Sequence, residues 1–186
     1  REASLVNERK FGDCKDMASI ITALASHAKV DSVFLAWIGT RELPYTYKEL
    51  PTPITDNHMI AVYIHDGKVL PLDATDTYTP FGLPSPFIQG KECMIRLSND
   101  SFMIYKIPII SPQINRRVNH VSMQVVGSKL IGKGKMAVHG LYKTEYLATL
   151  SNTNQEERFR NLKGLISFGN NKFKAGAIQE LGADRR

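Results

Sequence analysis

Three residues of this chain have side chains suited to act as nucleophile, base and orienting acid: Cys14, His58 and Asp73. A thiol attacks poorly while protonated. A helix N-terminus favours the thiolate, because its unpaired N–H groups and dipole stabilise negative charge. Cys14 follows Gly12-Asp13, a turn residue and a good N-cap, and opens a segment with helical apolar spacing. A thiol nucleophile also needs a base within reach, and the base needs a group that holds its tautomer. His58 stands 44 residues after Cys14, and Asp73 stands 15 after His58.

The local pattern predicts how these residues are positioned. Residues 12–28 read as a helix with Met17, Ile20, Ile21, Leu24 and Ala28 on one buried stripe. Asp16 lies three residues past Asp13, a weak echo of a capping box. Residues 32–40 read as a buried strand, and the prolines at 44, 51 and 53 make 41–56 a long loop. Asp66-Gly67, between extended runs 57–65 and 68–73, predicts a two-residue hairpin turn. His65 then faces Lys68, Ile60 faces Asp73 and His58 faces Thr75. His58 and Asp73 become diagonal neighbours on one sheet face, about 7–8 Å apart at the backbone. Pro71 gives no N–H to the ladder, and one bulge would break the register. Residues 75–90 read as a second Pro/Gly-rich loop and 92–97 as another strand.

Each residue has a plainer alternative: Cys14 as a small core residue, His58 as a core histidine, Asp73 as a turn residue. The shared face of His58 and Asp73, with Cys14 upstream, favours the active-site reading. His27, His65, His120 and His139 have no such company. Cys93 reads as structural and Trp37 as core packing. No His/Cys cluster has ligand spacing, so neither a metal nor a cofactor is expected.

Composition is that of an ordinary globular chain of 186 residues, with 42% hydrophobic and 23% charged residues. No apolar run approaches the ~20 residues that a membrane span needs. Membrane insertion is therefore not expected. The chain opens on Arg1 and reads as an excised fragment without a signal segment, so its compartment is not legible. Up to Ser98 there are 10 basic and 12 acidic residues; beyond it there are 14 and 6, for a net charge of +6 overall. The basic residues are scattered, which reads as a solvated face or a partner-facing surface rather than a nucleic-acid site. The texture also changes at Ser98. Residues 1–98 are expected to be the catalytic core. Residues 99–186 are expected to be a smaller, mainly β domain, with strands at 102–107, 121–125 and 129–141 and a helix near 154–168.

Gly12-Asp13-Cys14-Lys15-Asp16, Asn57-His58 and Leu72-Asp73-Ala74-Thr75 together resemble the motifs of bacterial transglutaminase-like domains, in matching order and spacing. Thr40-Arg41, Leu83-Pro84 and Gly90 agree. The likeness covers residues 9 to 97. In detail it is similar to exported Bacteroidetes-type proteins in which this core follows an N-terminal β-domain (DUF3857) and precedes a β-rich region. The resemblance implies an α+β, papain-like fold, with the nucleophile on a helix packed on an antiparallel sheet. It also implies export, a peptide or protein substrate, and that N-terminal domain as an intramolecular partner. The expected chemistry is acyl transfer on amides through Cys14, His58 and Asp73, in a cleft walled by loops 41–56 and 76–91, whose aromatics Tyr45, Tyr47, Tyr78, Phe81 and Phe87 are placed to grip a substrate chain or to pin the loops. The alternative is an inactive binding or scaffolding module of the same fold. The family's upstream oxyanion donor has no Trp or Gln counterpart before Cys14; Asn7 is the nearest candidate.

Overall fold

The computed structural model describes residues 2–151, 153–167, 169 and 172–182. They form two compact units, Arg1–Ser111 and Pro112–Arg186. The first is mixed α and β. Helix α1 (Ala3–Arg9) ends at Lys10, whose φ of 55° breaks the helical path. Helix α2 (Cys14–His27) follows and packs on α1. The strands are β1 (Val33–Ile38), β2 (His58–His65), β3 (Lys68–Leu72), β4 (Glu92–Arg96) and β5 (Phe102–Lys106). They make one antiparallel sheet in the order β3-β2-β1-β4-β5, and α2 packs against β1 and β2.

Directly paired residues share a sheet face, so the register shows how the core is built. Ala36 pairs with Ile60 and Ile95, and Ile38 pairs with His58 and Cys93. Ala36, Ile38, Ile60, Cys93 and Ile95, with Val62, Val69, Ile88 and Ile107, form the buried cluster, and His58 stands at the start of β2 beside it. The β2–β3 turn carries Asp66 at φ 49° and Gly67 at φ 72°, the two left-handed positions a tight hairpin demands. His65 pairs with Lys68 and Ala61 with Leu72, the register expected from the two-residue turn. Pro71 is accommodated opposite Val62 without a bulge.

Two expectations for the first unit need correction. The helical stripe does not stay buried to its end: Leu24 is 56% exposed and Ala28 is the exposed C-cap, whereas Asp16 and Ala18 are buried. The division at Ser98 is also displaced. β5 pairs with β4 from Glu92–Lys106 to Arg96–Phe102, Met103 and Tyr105 pack on the core, and Ile107 lies within it. The sheet needs this fifth strand to cover its core, and the first unit runs to Ser111.

The second unit holds a hairpin of β6 (Arg117–Val126) and β7 (Lys129–Val138), then α3 (Leu141–Leu150) and α4 (Gln155–Ile166). Strands of 10 and 10 residues against helices of 10 and 12 make it mixed rather than mainly β. Leu141, expected at a strand end, instead starts α3 after Gly140 turns the chain at φ 59°. Asn154 caps α4 in a full capping box with Glu157, and the helix ends at Ile166. Phe168, expected as its last residue, lies outside the described residues. Glu180 is held by Arg158 at 2.6 and 2.7 Å, which ties the tail to α4.

Candidate active site

The first turn of α2 is built by its own sequence. Asp13 accepts from the Asp16 amide at 3.1 Å, and Asp16 accepts from the Asp13 amide at 3.1 Å. The weak echo in the sequence is thus a complete capping box. Asp16 folds back so closely that a Cβ on Gly12 would lie 2.4 Å from the Asp16 Cβ. Glycine at position 12 is therefore a packing requirement. The Met17 amide bonds the Asp13 carbonyl at 2.9 Å. The amides of Cys14 and Lys15 remain as first-turn donors with no acceptor in the helix. Cys14 occupies the first helical position and is half-buried, with a free thiol.

His58 is the first residue of β2 and is held there by its predecessor. Asn57 accepts from the Thr40 amide at 2.8 Å and donates to the Thr40 hydroxyl at 2.9 Å, clamping the end of β1 to the start of β2. Asp73 follows β3 directly. The diagonal contact across this hairpin is made: His58 Nε2 lies 3.0 Å from Asp73 Oδ2, with side chains 8% and 1% exposed. Ser85 Oγ donates to the same oxygen at 2.8 Å. Thr75 donates to Oδ1 from its amide at 3.2 Å and its hydroxyl at 2.6 Å. Burial by itself raises the Asp73 pKa. The hydrogen bonds from His58, Thr75 and Ser85, with the His58 charge, outweigh burial and hold the carboxyl below its ordinary value.

An ionised carboxylate only accepts hydrogen bonds, so His58 Nε2 is the donor of this pair. In neutral imidazole that leaves Nδ1 as the basic nitrogen. Among the described residues Nδ1 has no hydrogen-bond partner, and no fully enclosed side-chain nitrogen or oxygen lacks one. Nδ1 therefore keeps access to open space. The fold brings His58 and Asp73 together directly. It carries Cys14 on the helix that packs against β2, and the thiol makes no hydrogen bond to His58 among the described residues.

Ser85 was not read from the sequence as part of this group, and Phe87 was expected only as an aromatic of the loop that walls the cleft. Ser85 is fully buried between Pro84 and Pro86, and the Phe87 ring meets the His58 ring edge-on at 5.2 Å. No local pattern marks the role of either, and Pro84 and Pro86 stiffen the backbone on both sides of Ser85. Of the aromatics expected to line a cleft, Tyr45 and Tyr47 instead fasten their own loop, through Thr55 and Asp56. Lys91 holds the same loop through the Leu43 and Tyr45 carbonyls at 2.5 and 3.0 Å. Phe81 sits 6.5 Å from Tyr63 and is 73% exposed.

Cys93 is fully buried, and burial pushes its thiol up to about 12, which keeps it protonated and unreactive. Trp37 is half-buried between Met59 and Met94 on the flanking strands. Among the described residues no group of three or more His, Cys, Asp or Glu is arranged to hold a metal ion, and no helix is long and apolar enough to cross a membrane.

The lowered Asp73 pKa predicts a pH dependence of stability. The folded value lies below the ordinary 3.8, so the stabilisation is complete above that value and drains away as pH falls through the folded value. Thermal unfolding of wild type and Asp73→Asn should therefore differ by a constant amount above about pH 4 and converge as the pH is lowered from there towards about 2. An equal difference between them across that range would contradict the assignment.

No family model matches the chain, and the comparisons with curated proteins and with solved structures found no match.

Proposed function

We propose that the first unit is a papain-like, transglutaminase-type domain that performs thiol-dependent acyl transfer on peptide or side-chain amides. The observation that carries this is the buried His58–Asp73 pair, with Nε2 committed to the carboxylate and Nδ1 open, beside a helix that starts at Cys14. In this mechanism Nδ1 takes the thiol proton, and sulfur attacks the amide carbonyl carbon. The oxyanion is met by the Cys14 amide. His58 returns the proton to the leaving amine as the C–N bond breaks, and a thioester remains. Water or an amine then attacks the thioester. His58 takes its proton, and the acid or new amide leaves with the thiol restored. Asp73 holds the tautomer and stabilises the imidazolium. Peptidase or amidase action is preferred over crosslinking, because it needs no second protein substrate. The same reading assigns the chain to an exported bacterial protein with an N-terminal β-domain.

A second reading, a binding or scaffolding module of this fold, is supported by the absence of a hydrogen bond between the Cys14 thiol and His58. Iodoacetamide at about pH 6, with alkylated peptides identified by mass spectrometry, separates the two. Active-site chemistry gives rapid alkylation of Cys14, slowed about 10–100-fold in His58→Ala, while Cys93 stays unmodified. Slow alkylation of Cys14 that is indifferent to His58 would leave only the binding module.

A further inference from the structure

Asp73 accepts four hydrogen bonds, which fills the acceptor positions of a carboxylate. Two come from Thr75 and are local, within the turn that follows β3. The third is the imidazole. The fourth, from Ser85, arrives from a separate loop and lands on the oxygen that His58 uses. That loop is fixed independently of the site: Pro84 is fully buried, the Ile88 amide bonds the Ser85 carbonyl at 3.2 Å, and Ile88 is part of the core. The Phe87 carbonyl accepts from the Arg41 amide at 2.8 Å, and its ring rests against His58. The segment 84–88 therefore touches both members of the pair, one through a hydroxyl and the other through a ring.

Resting on the acyl-transfer reading above, we infer that Ser85 is a positioning residue of this site, acting on His58 through Asp73, with Phe87 bracing the imidazole from the same loop. With three other donors already in place, the Ser85 hydroxyl keeps the Oδ2 lone pairs filled and the carboxyl plane fixed. Oδ2 then meets Nε2 in one geometry, and Nδ1 is aimed in one direction. Among the described residues His58 is the titratable side chain hydrogen-bonded to Asp73.

Ser85→Ala removes only an oxygen and should fold. Its Cys14 alkylation by iodoacetamide at about pH 6 should fall about five- to tenfold, the scale of one ordinary hydrogen bond, because the lost bond acts on His58 only through Asp73. The carboxyl carbon resonance of Asp73 should titrate at higher pH than in wild type, since one of the bonds that hold it down is gone. In an Asp73→Asn background the same Ser85→Ala change should alter alkylation by less than about twofold, because the route from Ser85 to His58 is already cut. A purely structural serine would give the same loss in both backgrounds. Phe87→Leu, tested separately, should slow alkylation while leaving the Asp73 titration in place. If wild-type alkylation depends on His58 and Ser85→Ala changes neither rate nor titration, the Ser85 assignment is overturned and the site reading stands. If wild-type alkylation is indifferent to His58→Ala, the site reading itself fails.

Discussion

Asp73→Asn should leave the sheet intact and reduce amide turnover by about 10⁴-fold, the loss known for the orienting carboxylate of a serine-protease triad. The reason lies in the donors around the side chain. His58, Ser85 and Thr75 all point hydrogens at Asp73. An asparagine offers one acceptor oxygen and must turn an NH₂ group towards some of these donors. When the NH₂ faces Nε2, the imidazole accepts there and carries its proton on Nδ1, where the thiol needs a base. The loss should be smaller for an activated ester than for an anilide of the same peptide. A phenolate leaves without a proton, whereas an amine needs one from His58. Parallel assays with p-nitrophenyl ester and p-nitroanilide substrates measure the contrast. Unchanged anilide turnover would remove Asp73 from the mechanism. Equal losses on both would show that the carboxylate acts only before attack.

Gly12→Ala should destabilise the first unit by about 2–4 kcal/mol, combining a damaged N-terminal cap with an overpacked contact. The added Cβ meets the Asp16 Cβ at 2.4 Å, which is neither a flexible chain end nor a space that can open. Asp16 is buried, so it has no room to retreat without breaking the capping box. The first turn that carries Cys14 shifts with it, and Cys14 alkylation should fall together with stability. Gly164→Ala is the counterpart of opposite sign. Gly164 lies inside α4, and a methyl added there meets nothing within 4 Å, so alanine should stabilise the helix by up to about 1 kcal/mol. Denaturant unfolding of both variants checks the pair. A neutral Gly12→Ala would mean that the turn adapts and that Gly-Asp-Cys is not a steric unit.

What could be read from the residues alone was whatever short-range geometry governs. Asp66-Gly67 sets a two-residue turn because its backbone must pass through two left-handed positions, and the turn fixes every pairing from His65–Lys68 upward. That register points His58 and Asp73 at each other, although the ladder ends at Ala61–Leu72, short of the expected Ile60–Asp73 and His58–Thr75 pairs. Asp13 as cap and Cys14 as first helical residue are equally local, since a cap is satisfied within three residues. The helical stripe was legible only in part. Period marks which residues share a face, but not how far along the helix a neighbour covers it, and Leu24 lies beyond that cover. The unit boundary was missed for a related reason: the charge and texture of a segment do not say that β5 is the edge strand completing the first sheet. The Asn57–Thr40 clamp, the Ser85 hydroxyl on Asp73 and the Phe87 ring on His58 join residues brought close by the folded sheet and its loops. No period or turn rule encodes such contacts. They depend on where the core seats Pro84 and Ile88, so tertiary packing decided how tightly the histidine and the aspartate are held.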